Sequence, residues 1–522
     1  MLTISRCVAL TPLLIALFST ATRADVRPAA LFTDDLVLQR SQRLPVWGRA
    51  DPGEAVTVTL GKSAASAVAA TDGKWMVTLP PQKAATGLTL TIAGKNTRTL
   101  RNIAVGEVWV CAGQSNMELP LSKARDAEAE IAAATLPDIR LFKVQNAVSD
   151  TPRPDVRAVG GAWKVCEPAS VRQFSAVGYF FGRELHRRLK VPIGLISSDW
   201  GGTPAEAWTS RPALEASPEL RPLLTDWEAR IAAHPSKLSI YESETLPQWQ
   251  AAVEKATADG KRPPGKPQSP DGPDSPQRPA TLFNGMIAPL MPYAIKGVVW
   301  YQGESNAETP ARAAQYRTLF PTLIRDWRAR WGGGDFPFLF VQLANWLPVQ
   351  TKPVESDSWP LIREAQADTL SLPHTGMATA IDLADLDHPN DIHPKNKQDV
   401  GLRLALVALA TEYGQKTVYS GPVLERMEIK DRQVRLRFRH ADGGLKARDG
   451  GTAPRGFAIS GADGVWKWAD ATMSGDTITL SNADIPTPTA VRYNWARNPI
   501  GTLINGAGLP AVPFRTDTKR QD

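Results

Sequence analysis

Two kinds of hydrophobic patterning divide the chain. From residue 25 to about 104, short β-branched or aromatic runs alternate with turns. Leu36–Leu38, Ala55–Leu60, Lys74–Leu79 and Leu88–Ile92 read as strands, and Asp51-Pro-Gly, Asp72-Gly and Ala93-Gly punctuate them. This pattern predicts a small antiparallel β-sandwich over residues 25–104. From Val105 onward the strands become near-continuous apolar runs, as expected where both faces of a parallel sheet are covered. Val105–Cys111, Ile193–Ser198, Gly297–Tyr301, Phe336–Gln342 and Gly376–Ile381 are such strands, and helical periodicity appears over Phe174–Leu189, Ala311–Trp331 and Lys397–Ala410. Strand alternating with helix predicts an α/β region at 105–415, a parallel sheet flanked by helices. Beyond Thr417 short strands return at Val434–Phe438, Gly456–Ile459, Thr477–Leu480 and Ala490–Tyr493, so residues 416–522 read as a second β-rich, sandwich-like region.

The α/β pattern is interrupted at about 212–281. Leu214–Ala233 and Tyr241–Ala256 read as helices, and a proline-rich stretch follows them to Pro279. Such composition suits a solvated, extended insertion, or a flap over a site. At the other extreme, Met1–Arg6 carries one positive charge, Val8–Phe18 is apolar, and Thr22-Arg23-Ala24 suits cleavage. This predicts a secretory signal over residues 1–24, with an apolar run too short to span a bilayer. The expectation is an exported protein, periplasmic or secreted, without an integral membrane segment in its mature form.

Composition changes the picture little. In 522 residues, 60 Lys+Arg against 53 Asp+Glu give a charge of +7, and the basic residues are scattered, which argues against a nucleic-acid partner. Cys7 leaves with the signal. Cys111 and Cys166 remain, either paired in an oxidising compartment or buried as free thiols. Gly61-Lys62-Ser63 lacks the upstream glycine of a phosphate loop.

Ligands of such sheets bind beyond the carboxyl ends of the strands, so the residues there carry the candidate chemistry. Val105–Cys111 runs into Ala-Gly-Gln-Ser-Asn-Met117, where Ser115 is a nucleophile or merely an N-cap. Of six histidines, His388 and His393 follow a strand directly, in Ile381-Asp-Leu-Ala-Asp-Leu-Asp-His-Pro-Asn-Asp-Ile-His-Pro394. Asp391 could hold the His393 ring and stabilise its imidazolium. Asp385, Asp387, His388, Asp391 and His393 also resemble a metal cage in composition, the rival reading of this segment. Leu195–Pro204 offers the N–H of Gly201 or Gly202 to an oxyanion, and Val298–Asn306 offers the amide of Asn306, although each segment alone reads equally as a plain turn.

Taken together, Gly106-Glu-Val-Trp-Val-Cys-Ala-Gly-Gln-Ser-Asn-Met117, Trp200-Gly-Gly-Thr-Pro-Ala-Glu-Ala-Trp208, Trp300-Tyr-Gln-Gly-Glu-Ser-Asn306 and Asp391-Ile-His-Pro-Lys-Asn-Lys-Gln-Asp-Val400 resemble the SGNH-type serine hydrolases. Within them the chain is similar to the sialate O-acetylesterase-like carbohydrate acetylesterases, and Gly456–Gly461 and Pro513–Asp517 extend the likeness to the C-terminus. The resemblance implies an SGNH-hydrolase-like fold, Ser115 as nucleophile and His393 as base. It implies oxyanion donors at the Ser115 N–H, Gly201 or Gly202, and Asn306, since Gly303-Glu-Ser-Asn306 matches the family's Gly-x-x-Asn block. The superfamily usually places its acid three residues before the histidine, where Asn390 stands here. Asp391 is then the expected acid, with Asp387, Glu304 or a backbone carbonyl as the alternatives.

The implied activity is removal of O-acetyl groups from carbohydrate, with no metal or organic cofactor. Trp200, Trp208, Trp300, Trp346 and Trp359 lie near the working edge, where flat rings suit sugars, and the extra β-rich regions with an open rim favour an acetylated plant cell-wall glycan, xyloglucan or xylan, as substrate. Those rings suit the core equally well. O-acetylated sialic acid is the alternative substrate, and a carbohydrate-binding protein without catalysis is the alternative of another class. Gln114, Trp208, Gln302, Glu304 and Trp346 are the candidates for contacting substrate. The oligomeric state is not legible in the sequence.

Overall fold

A computed structural model describes residues 25–354 and 357–517, so the signal expected at 1–24 lies outside the described residues. The centre is a sheet of six parallel strands: β1 (Thr97–Gly113), β2 (Leu136–Lys143), β3 (Ile193–Asp199), β4 (Gly297–Tyr301), β5 (Phe338–Gln342) and β6 (Thr375–Thr379). Their order is β2-β3-β1-β4-β5-β6, and the short strand Lys164–Cys166 pairs antiparallel with β2 at the edge. Every residue of β3, β4 and β5 is buried, which explains the unbroken apolar runs. Four helices cover the sheet: α1 (Ala176–Leu189), α2 (Pro310–Trp331), α3 (Ser358–Asp368) and α4 (Lys397–Thr411). Helix α1 packs on α4, and α2 packs on α3. Local chemistry sets their limits. Thr309 accepts the Arg312 N–H at 3.2 Å with Pro310 in the first turn of α2, and Gly332 closes that helix in the left-handed region. Asn396 caps α4 by accepting the Asp399 N–H at 3.1 Å.

The N-terminal strands form two antiparallel layers, Leu44–Arg49 with Lys74–Leu79, and Ser63–Val68 beside Ala55–Leu60 beside Ala85–Ala93. The boundary expected at 104/105 falls inside β1. Its first half pairs with Ala85–Ala93, and from Glu107 it pairs with β3 and β4. One continuous core therefore runs from Val26 through the α/β layer. The C-terminal strands, from Val423 to Arg515, are antiparallel and enclose a core of their own around Leu436, Ile459, Ile478 and Tyr493.

One expected helix is corrected, two elements were not expected, and the cysteines take the free-thiol alternative. The helix read over Leu214–Ala233 is two, Arg211–Ala216 and Arg221–Ile240, because Ser217 precedes Pro218 and takes an extended conformation. Strand β2 and helix α3 went unread, since Asp138 and Arg140 break the apolar run of one and Pro360 stands in the other. Cys111 and Cys166 are both buried free thiols. The proline-rich stretch lies along its own helices: the Tyr241 hydroxyl donates to the Pro267 carbonyl at 2.9 Å and the Trp249 indole to that of Pro264 at 3.0 Å. No helix among the described residues is long and apolar enough to cross a membrane.

Candidate active site

Strand β1 ends at Gly113, where φ is +141° and a Cβ would stand 2.2 Å from the Tyr301 carbonyl oxygen of β4. Only glycine fits both the conformation and the space. The backbone then turns into a single helical turn, Ser115–Glu118. The Gln114 side chain accepts from the N–H groups of Gly303 and Ser305, at 3.4 and 3.2 Å, and so ties this turn to the one that follows β4. Ser115 is left part-exposed at the sheet's rim, and its own N–H has no acceptor among the described residues.

His393 arrives from the loop between β6 and α4. The Ser115 hydroxyl donates to its Nε2 at 2.9 Å, joining side chains 278 positions apart. On the far side of the ring, Nδ1 donates to Asp391 Oδ1 at 3.2 Å, and the same oxygen accepts the His393 backbone N–H at 2.9 Å. One carboxylate oxygen thus fixes both ring and backbone. Burial pulls the imidazole below its ordinary value, the nearby Lys397 and Lys123 pull the same way, and Asp391 opposes them. A neutral imidazole with Nδ1 protonated is the form that can accept a proton from serine.

The other expected participants are placed as follows. Gly201 lies against the nucleophile, where an added Cβ would sit 3.2 Å from Ser115 Cβ. Its N–H is already engaged, donating to Glu118 Oε2 at 2.7 Å. Gly202, at φ +73°, has an N–H with no acceptor among the described residues. Asn306 is fully buried. Its Oδ1 accepts from the Ala205 N–H at 2.9 Å and the Gln302 amide at 2.7 Å, while Nδ2 donates one hydrogen to Glu206 at 3.0 Å and keeps the other. Asp199, at the end of β3, is fully buried and pushed up to about 6 by that burial.

A cavity of about 640 Å³ opens at Ser115 and His393, with Glu118, Asp391 and three lysines, Lys123, Lys143 and Lys395, in its walls. None of its lining residues comes from the 212–281 insertion. Several expected substrate contacts are corrected. Trp208 and Gln302 are fully buried, and Gln114 is spent on the β4 turn. The Trp208 indole donates to Thr203 at 2.9 Å, and Gln302 serves Asn306, so neither offers a surface to substrate. Trp300 and Trp359 are core as well. Trp346 is part-buried, donates to the Asn390 carbonyl at 3.1 Å and stacks obliquely on Trp359, and Glu304 turns inward to Asn116. The segment with cage-like composition disperses: His388 pairs with Asp385 at 3.0 Å at the surface, His393 faces Ser115, and among the described residues no three such side chains converge. Asn116, Glu118 and Lys397 were not singled out from sequence, although the first two stand beside Ser115 and the third is four residues past His393.

Known proteins similar to this chain are carbohydrate esterases. Residues 277–410 match a family described as carbohydrate esterase, sialic acid-specific acetylesterase. The chain is 31% identical to a mouse sialate O-acetylesterase over 96% of both chains. It is 32% identical to the human one over 94% of this chain and 92% of the human protein. A crystal structure of a carbohydrate acetylesterase from Xanthomonas citri is 37% identical, covers 95% of this chain and 100% of its own, and superposes with a TM-score of 0.78.

Proposed function

Because the chain belongs to the sialate O-acetylesterase-like family and is a carbohydrate O-acetylesterase, we propose that it works as an SGNH-type serine hydrolase with Ser115 as nucleophile, His393 as base and Asp391 as the orienting acid. The observation that carries this reading is the 2.9 Å contact between Ser115 Oγ and His393 Nε2, backed on the other side by Asp391. His393 takes the Ser115 proton as Oγ attacks the acetyl carbonyl. The tetrahedral oxyanion is held by the Ser115 N–H, a glycine N–H and the free hydrogen of Asn306 Nδ2. Gly202 is open for that task, whereas Gly201 donates only once Glu118 swings away. The imidazolium then protonates the departing sugar hydroxyl. Water, deprotonated by His393, releases acetate from the acyl-enzyme. The scheme has no step through a metal or organic cofactor.

As substrate we place O-acetylated sialic acid ahead of the plant cell-wall glycans. The family description and the names of the mammalian relatives support an acid sugar. So do Lys123, Lys143 and Lys395 around the cavity, which complement a carboxylate. The case for xyloglucan or xylan keeps the β-rich regions, but with Trp208, Trp300 and Trp359 in the core its aromatic part is reduced to Trp200 and Trp346. The same reading includes export to the periplasm or beyond with loss of residues 1–24, and a catalytic region over 105–415 between β-rich regions at 25–104 and 416–522.

Acetate release from O-acetylated sialate, acetylated xyloglucan and acetylated xylan, run side by side, tests the substrate order. Release from the polysaccharides alone would reverse it. Ser115→Ala is expected to lower aryl-acetate hydrolysis by roughly 10⁴-fold or more, and retained turnover would remove the assignment of the nucleophile.

A further inference from the structure

Behind Ser115 and His393 lies a buried polar chain that this reaction scheme does not use. Lys397, the first residue of α4, is fully buried. Its Nζ donates to Asn116 Oδ1 at 2.5 Å and stands 5.4 Å from the centre of the Tyr301 ring. Asn116 is 1% exposed and directly follows the nucleophile. Its Nδ2 donates to Glu304 Oε1 at 2.6 Å and to the carbonyl of Ile392, the residue before His393, at 3.1 Å. Glu304 Oε2 is buried without a partner among the described residues. One amide therefore joins the nucleophile turn, the turn after β4, the histidine loop and the start of α4.

Burying an ammonium whose one hydrogen bond is to a neutral amide oxygen, with Glu304 and Asp391 near but not in contact, is unfavourable, and an apolar side chain of similar length would pack there more cheaply. The arrangement therefore calls for a function at this spot. We propose that Lys397 is a positioning residue for the esterase reaction: through Asn116 it locks the nucleophile turn to the histidine loop, and its ammonium opposes a second positive charge on His393. The inference rests on the reading of Ser115 and His393 as nucleophile and base.

Several charged groups surround the pair, and Glu118, Lys143 and Lys395 line the same cavity as His393. His393 faces Asp391 and Lys397 from its own segment and Lys123 from the turn beyond the nucleophile, and Lys397 faces Glu304 and Asp391. Burial brings Lys397 down to about 7, with Glu304 and Asp391 opposing. The ammonium is thus charged in the acid range, where His393 would otherwise take a proton. Removing it raises the imidazole's affinity for protons, and the acid limb of activity then moves to higher pH. Lys397 is fully buried and cannot reach a bound sugar, so KM should hardly change.

The test is kcat and KM for an aryl acetate from pH 5 to 9, with thermal unfolding of each variant of the full chain. In Lys397→Met the acid limb of kcat/KM is expected to rise by roughly half a pH unit or more, with kcat lowered about tenfold and KM within about twofold. Asn116→Ala removes the bridge and leaves the charge, so kcat should fall without movement of the acid limb; this variant carries the test if the methionine variant does not fold. A folded Lys397→Met with the parental acid limb, or an Asn116→Ala with parental kcat, overturns the proposal. Ser115→Ala run in parallel separates the two readings: if it stays active the nucleophile assignment fails, and if it is dead while Lys397→Met behaves as the parent, only the role of Lys397 fails.

Discussion

The two side chains that meet at this site are held in opposite ways. Ser115 follows a strand whose last eleven residues are all buried, and Gln114 and Asn116 bind its turn to β4 and to the histidine loop. His393 rides on an irregular, part-exposed segment between β6 and α4. Its support is a few single contacts: Asp391 accepts from both ring and backbone, the Trp346 indole holds the Asn390 carbonyl, Asn116 holds that of Ile392, and Arg403 grips Asp382. A nucleophile set by sheet register has almost no freedom to shift, whereas a base on a loop can follow the proton it carries. Damage on the strand side should therefore strike fold and activity together, and damage on the loop side activity alone.

The sharpest way to break this comparison is His393→Ala. Its kcat/KM should fall by about 10⁴-fold or more, with an unfolding temperature within about 2 °C of the parent; a large thermal loss would mean that the loop also carries the fold. Gly113→Ala should do the reverse of that clean separation. Its methyl meets the Tyr301 carbonyl at 2.2 Å with φ at +141°, and about 3 kcal/mol of stability should go along with most of the activity. Chemical denaturation that finds parental stability would remove β1 as the rigid partner. Asp391→Asn comes next. It keeps an acceptor for the backbone N–H but favours the wrong imidazole tautomer, so kcat should drop about a hundredfold at nearly constant KM.

In the parent, kcat/KM should decline as the pH falls through a midpoint below the ordinary histidine value of about 6.5, because burial and the lysines favour the neutral base. A midpoint above that value would mean Asp391 outweighs them. The smallest effect belongs to Trp346→Phe, which deletes the bond to Asn390 while keeping a ring beside Trp359 and Arg497, and should lower kcat about threefold. No change at all would show that the loop needs no such strut.

Much of this was open to reading along the chain. Val105–Cys111, Ile193–Ser198 and Gly297–Tyr301 were legible because burial on both faces leaves no polar position to blur the signal, and the actual strands contain or nearly match them. Strand β2 escaped because Asp138 and Arg140 interrupt its apolar residues. The tryptophans, read as suiting core and sugar alike, divide in the structure: Trp208 beyond β3 and Trp300 within β4 pack edge-to-face in the core. Glu118 on the Gly201 N–H and Lys397 on Asn116 are contacts between segments 83 and 281 positions apart, with no periodicity to announce them.

The sequence by itself determined where strands stop, where glycine lets the backbone turn, and which hydroxyl, imidazole and amide stand at those ends. These depend on a residue and its near neighbours, through burial patterns and backbone sterics. Only the tertiary structure decided which ends lie side by side, that one imidazole rather than the other reaches Ser115, and that a buried ammonium stands behind it. Those outcomes depend on strand order and register, and no local stretch of chain carries that information.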